Sequence, residues 1–271
     1  MTAPPNHVAA APLAAEPVLL RTTDQGVARL TLNRPRQFNA ISGEMLDALQ
    51  AALDDIAGDP SVRAVVIAGN GSAFSGGHDL KEMMAQRNEG FIGGLFARCS
   101  RMMLSLQALP QPVVARVHGI ATAAGCQLVA ACDLAVASTD ASFATSGINL
   151  GLFCATPAVP LSRSIARKRA FEMLFTGAVI DAETARQWGL VNRVVPPGEL
   201  DAEIARLVGT IIEKPRAVIA AGKALFYRQI EAQLTDAYAA ANKAITANML
   251  DPDAAEGVSA FVERRKPRWG S

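Results

Sequence analysis

From Val18 to Asp133 the chain alternates short apolar runs with longer amphipathic stretches. Val18 to Arg21 and Val27 to Leu32 read as two strands joined by a turn at Asp24-Gln25-Gly26, and Asn33-Arg34-Pro35 ends the second. Met45, Leu46, Leu49, Leu53 and Ile56 recur at helical spacing behind Ser42, a residue type that caps helices. Asp59-Pro60 stops that helix, and Val62 to Ala68 reads as a buried strand. A helix from about Asp79, a longer amphipathic one from Phe91 to Leu109, and a strand from Val113 to Val117 follow. Leu134 to Ala137 and Phe143 to Thr145 continue the alternation. Such an order predicts an α/β protein whose strands are covered by helices.

From Gly198 onward the pattern turns helical, with helices predicted over Glu199 to Glu213, Arg216 to Ile230, Ala232 to Leu250 and Asp253 to Arg265. The chain therefore divides into a loose tail over 1–17, a core over 18–197 and a helical region over 198–271. The apolar faces of the last part either close over the core or form an oligomer interface. The tail is rich in Ala and Pro and has no basic residue before Arg21. It matches neither an Arg-rich transit peptide nor a secretory signal.

Two loops interrupt the pattern with glycine. Ala73-Phe74-Ser75-Gly76-Gly77-His78-Asp79-Leu80 follows one buried strand, and Gly119 to Leu128 follows another and opens a helix ending at Cys132-Asp133. Small residues at a helix start leave backbone N–H groups open to a ligand oxygen, with the helix dipole behind them. Two such donors converging on one point would make an oxyanion hole. Gln127, in the second segment, carries an amide, which does not exchange protons as a carboxylate does.

Composition narrows the partners. The 271 residues are 19% charged and 50% hydrophobic, with a formal net charge of +1, which fits an ordinary globule and points to neither nucleic acid nor membrane. No apolar run approaches the ~20 residues that span a bilayer. The four cysteines, Cys99, Cys126, Cys132 and Cys154, form no CxxC pair and read as reduced, mostly buried thiols of a cytoplasmic protein. Three histidines without HExxH spacing make no zinc site.

In order and spacing these motifs resemble the enoyl-CoA hydratase/isomerase (crotonase) family from about Val18 to Trp269. The resemblance is carried by Leu32-Asn33-Arg34-Pro35 with Asn39-Ala40, Ala73 to Met83, His118-Gly119 through Cys126, Ala131-Cys132-Asp133, Ile148-Asn149-Leu150-Gly151, Phe175-Thr176-Gly177 and Gly189-Leu190-Val191. Ser75 to Lys81, Gly147 to Cys154 and Arg265 to Trp269 mark one branch within it. The resemblance implies a crotonase-like spiral of ββα turns with a helical C-terminal trimerisation region, giving a homotrimer or a dimer of trimers. It also implies an acyl-CoA thioester as ligand, in fatty acid metabolism of lyase or isomerase type, with no metal and no covalently bound cofactor. The oxyanion donors become the backbone N–H groups of His78 and Ala124. The CoA-contacting positions become Arg36, Phe38, Ala40, Ser75, Gly77, His78, Leu80 and Lys81, with Arg36 or Lys81 near the phosphates.

At the positions of the family's two glutamates stand Gln127 and Gly147. Neither carries protons, and positioned acid–base groups are worth ~10²–10⁴ each, so efficient hydration by the usual route is not expected. Isomerisation, decarboxylation or thioester hydrolysis remain open, with His78 or water handling the proton. A non-catalytic or regulatory acyl-CoA-binding protein, or an assembly subunit for an active homologue, is the alternative. His78 serves either as a base or through its backbone alone, and Cys154 either as a nucleophile or as a buried thiol. Asp79 reads as a helix cap, Asp133 as a turn residue, and Arg265-Lys266-Pro267-Arg268 as a solvated cluster or a contact for CoA phosphates.

Overall fold

A computed structural model describes residues 16–270. Its strands are β1 (Leu19–Asp24), β2 (Val27–Leu32), β3 (Ala64–Gly69), β4 (Ala73–Ser75), β5 (Val113–Val117), β6 (Ile120–Thr122), β7 (Leu134–Ser138), β8 (Ser142–Ala144), β9 (Ile180–Asp181) and β10 (Arg193–Val195). Its helices are α1 (Gly43–Gly58), α2 (Leu80–Ala85), α3 (Glu89–Ala108), α4 (Ala124–Ala131), α5 (Ala155–Ser164), α6 (Arg167–Thr176), α7 (Ala182–Trp188), α8 (Leu200–Ile212), α9 (Arg216–Ile230), α10 (Leu234–Met249) and α11 (Pro252–Val262).

Six strands form the larger sheet in the order β1-β2-β3-β5-β7-β10, and four form a smaller one in the order β4-β6-β8-β9. In the larger sheet only the β1–β2 hairpin is antiparallel. The pairs β3/β4, β5/β6 and β7/β8 each give one strand to the large sheet and the next to the small one. A helix precedes each return, which is the ββα spiral that the resemblance implied.

The central strands β3, β5 and β7 of the large sheet are buried on both faces, and their residues alternate accordingly. Val65, Ile67, Val113, Ala115, Val117, Ala135 and Ala137 face the main core with α1 and α3. Ala64, Val66, Val114 and Val136 face a second layer formed by Leu200, Ile204 and Val208 of α8. On α1 the predicted stripe Met45, Leu46, Leu49, Leu53 and Ile56 is buried, and the Ser42 hydroxyl accepts from the Met45 N–H at 3.2 Å. No helix is long and apolar enough to cross a membrane among the described residues.

Candidate functional site

The two glycine loops lie between β4 and α2 and between β6 and α4, and they meet backbone to backbone. Gly77 adopts φ +91°, and a Cβ built on it would lie 3.2 Å from the Ala124 nitrogen. On the other loop, a Cβ at Gly125 would lie 2.3 Å from the Ser75 carbonyl oxygen. Only glycine permits either approach. Ala123, just before α4, is held at φ 49° and ψ −117°, a conformation that costs a residue with a Cβ ~1–3 kcal/mol. Among the described residues neither the His78 nor the Ala124 N–H has a hydrogen-bond partner. Ala124 is the first residue of its helix, so its donor also carries the positive end of the helix dipole.

A third segment, 34–41, is stitched against the first loop. Asn39, fully buried at φ 53°, donates through Nδ2 to the carbonyls of Asn70 and Ala73, each at 2.8 Å. The Ser75 hydroxyl donates to Asn39 O at 3.0 Å, and the Ile41 N–H donates to Gly77 O at 2.7 Å. The Arg34 guanidinium donates to the Asp79 carboxylate at 3.1 Å. Asp79 is the α2 cap, accepting from the Lys81 and Glu82 N–H groups. Burial works to raise its pKa, but those bonds and Arg34 hold it below the ordinary carboxylate value. Of the expected CoA positions, Arg36, Phe38, Leu80 and Lys81 are exposed, Ala40 and His78 are half-buried, and Ser75 and Gly77 are buried. The Ser75 side chain is wholly internal.

His78 brings an imidazole to the same place. Its Nδ1 lies 3.1 Å from Ile41 O, so it carries the proton, and Nε2 is left as a buried acceptor without a protein partner. The Phe96 ring stands edge-on at 5.2 Å. Burial pushes the imidazole below its ordinary pKa, against the opposing pull of the Ile41 bond and Glu82.

Gln127 is 3% exposed and its Oε1 has no partner. Gly147 has no room for a side chain: a Cβ there would lie 2.7 Å from Leu152 O and 2.8 Å from Cys154 Sγ. Burial raises the Cys154 pKa, only partly offset by the Gly147 N–H, so it stays a protonated thiol at neutral pH. Cys126, pushed up to about 12 by burial, is equally unreactive.

One cluster escaped the sequence reading. Asp133, expected to be a turn residue, accepts from Val113 N–H at 2.6 Å, Lys223 Nζ at 2.7 Å and Tyr227 Oη at 2.7 Å. Lys223 also donates to the carbonyls of Leu106 and Gln111. The available signal was a lysine and a tyrosine four apart on one face of a mostly apolar helix. Among the described residues no group of three or more His, Cys, Asp or Glu is placed to hold a metal.

The enoyl-CoA hydratase/isomerase family model matches residues 22–271. Enoyl-CoA hydratase domain-containing protein 3 of Xenopus laevis is 44% identical over 93% of this chain and 86% of its own. A crystal structure of its human counterpart superposes with a TM-score of 0.90 at 42% identity, covering 93% of this chain and 100% of that one. An enoyl-CoA hydratase structure from Mycobacterium smegmatis gives 0.93 at 60% identity, covering 94% and 100%. The chain is a crotonase-fold protein and belongs to the enoyl-CoA hydratase/isomerase family. Ser75 to Lys81, Gly147 to Cys154 and Arg265 to Trp269 thus point to the domain-containing protein 3 branch.

That comparison also overturns the expectation of a cytoplasmic protein, because the Xenopus and human relatives are named mitochondrial. Unpaired cysteines and balanced charge do not distinguish one compartment from another. Of the tail on which the leader argument rested, residues 1–15 lie outside the described residues.

Proposed function

We propose that the protein binds an acyl-CoA thioester with its carbonyl oxygen between the N–H groups of His78 and Ala124, and that its chemistry proceeds through an enolate-type oxyanion. The observation that carries this reading is the pair of unpartnered donors on two loops that glycines bring into backbone contact. Donors fixed before the reaction stabilise developing charge without reorganising, and losing one typically costs ~10²–10³ in turnover. At the positions matched to the family's glutamates, Gln127 has no titratable proton and Gly147 has no side chain, so water addition by a carboxylate pair is not the reaction proposed. The crowding at Gly147 supports this, since a restored glutamate meets Leu152 and Cys154 before it meets a substrate. Arg36 and Lys81, both exposed, are the cations proposed for the CoA phosphates.

The same two positions favour a second reading, a non-catalytic acyl-CoA-binding protein that keeps the hole and lacks proton carriers. One experiment separates them. The purified protein is incubated with enoyl-, branched acyl- and malonyl-type CoA thioesters, with products identified by mass spectrometry and binding followed by calorimetry. An isomerised, decarboxylated or hydrolysed product is the expected result. Binding without product supports the second reading. Rapid hydration sinks the acid–base argument, and absence of binding sinks both readings.

A further inference from the structure

We infer that the His78 side chain, through Nε2, is the base that removes a proton from the α-carbon of the bound acyl group. This rests on the acyl-CoA reading and deepens it by assigning the proton acceptor. Two features of the structure carry it. The Nδ1–H bond to Ile41 O fixes the tautomer and leaves the Nε2 lone pair free, buried and without a protein partner. The same residue carries one of the two unpartnered N–H groups, so donor and acceptor share one α-carbon. In this proposal the acyl group bound at that N–H lays its α-carbon against the imidazole. His118 also carries a buried, unpartnered ring nitrogen, but its imidazole is held at Gly71 O, beside Arg116 and Asp201.

Phe96 stands nearly perpendicular to the imidazole at 5.2 Å, and in this proposal it moves aside as the acyl group enters. Its segment is suited to this. Gly93 and Gly94 lie in the first turns of α3, and a Cβ added at either would meet nothing within 4 Å. Helix glycines without a packing role weaken the helix by ~1 kcal/mol each relative to alanine, so this end of α3 yields more readily than the rest.

The step balances without a co-reactant. The α-C–H bond breaks and an N–H bond forms at Nε2. The C–H pair becomes the enolate double bond, and the thioester π pair moves onto the oxygen held by the His78 and Ala124 N–H groups. Return of a proton from Nε2 regenerates the thioester. In heavy water the imidazolium exchanges with solvent, so return delivers deuterium.

The test is deuterium incorporation at the α-carbon of butyryl-CoA in heavy water, read by mass spectrometry, with affinity measured by calorimetry in the same buffer. His78→Asn is the decisive variant, because its amide nitrogen can keep the bond to Ile41 O while Nε2 is lost. Wild type is expected to exchange, and H78N to lose ~10²-fold or more at unchanged affinity. Should H78N not fold, His78→Gln, which keeps a polar but non-basic group near the Nε2 position, is expected to show the same loss. Exchange in wild type should hold level above neutrality and fall as pH drops through the lowered imidazole pKa. The charged group acting on that ring is Glu82 of α2, which opposes the lowering. Wild-type binding without exchange overturns the inference, as does full exchange in either variant. Failure of wild type to bind butyryl-CoA overturns the acyl-CoA reading itself, and this inference with it.

Discussion

A methyl group on Gly77 would stand 2.9 Å from Ala123 Cβ and 3.0 Å from the Thr122 carbonyl oxygen, at a φ of +91° that a side chain rarely adopts. Neither neighbour can yield cheaply, because Ala123 is itself in a strained conformation and the Thr122 carbonyl belongs to β6. Gly77→Ala is therefore expected to lower stability by roughly 1–3 kcal/mol. It should also weaken acyl-CoA binding at least ~10-fold, by moving the two loops apart. Urea unfolding and calorimetry check the two effects separately, and a variant with wild-type affinity would detach the loop contact from ligand binding. The sequence made the glycine loops visible, since only Gly tolerates such approaches. It did not reveal Asn39 as the residue that ties segment 34–41 to Asn70 and Ala73. Nor did it reveal that Cys154 and Leu152 crowd Gly147. The absence of carboxylates at positions 127 and 147 acquires meaning only beside the family pattern, because a glutamine and a glycine are unremarkable by themselves.

Among the elements, the buried strands β3, β5 and β7 and the helices α1, α3 and α8 to α11 were legible from their periods, whereas α5 and α6, ten residues each, were not read. Strand β5 spans Val113–Val117 as predicted, and α9 spans Arg216–Ile230 as predicted. The smaller sheet was not, apart from β8. Strands of two or three residues, such as β4, β6 and β9, carry no periodicity, and their pairing comes from the spiral rather than from local preference. The clasp between α9 and the core is illegible for a different reason: Lys223 and Asp133 are neighbours only after folding. With side chains 7% and 14% exposed, this pair is sensitive to the loss of one partner. Asp133→Ala leaves a buried ammonium with only the Leu106 and Gln111 carbonyls, and is expected to cost roughly 3–5 kcal/mol. Tyr227→Phe, which deletes one bond to a charged acceptor, should cost less, about 1.5–3 kcal/mol. Chemical unfolding of the two variants tests the order. If D133A is as stable as Y227F, the ion pair is not what fastens α9 to the core.

At the scale of the whole molecule, the described residues expose many large apolar side chains towards the C-terminal end. Leu234, Leu250 and Phe261, on or beside α10 and α11, are each more than 70% exposed, and Tyr238, Ile245, Met249 and Val258 lie open nearby. Large apolar side chains left exposed on neighbouring helices point to an association site. The helical periodicity of 198–271 left two roles open for it, closing over the core or meeting another copy. In the structure α8 and the Lys223 face of α9 fill the first role, which leaves the exposed side chains of α10 and α11 for the second. We therefore propose that copies of this chain associate through them, as the trimer implied by the family resemblance would. Covering one large side chain contributes roughly 1.5–3 kcal/mol, so removing two from each surface should weaken association by orders of magnitude. The double variant Leu250→Glu, Phe261→Asp is expected to move the native mass from an oligomer to a monomer. Circular dichroism should stay unchanged, because these side chains contribute little to the protomer's own core. A wild-type protein that is already monomeric at micromolar concentration would refute the interface. A variant that keeps the wild-type mass would place association on another face, of which the exposed cluster Phe153, Phe171 and Phe175 is the next to substitute.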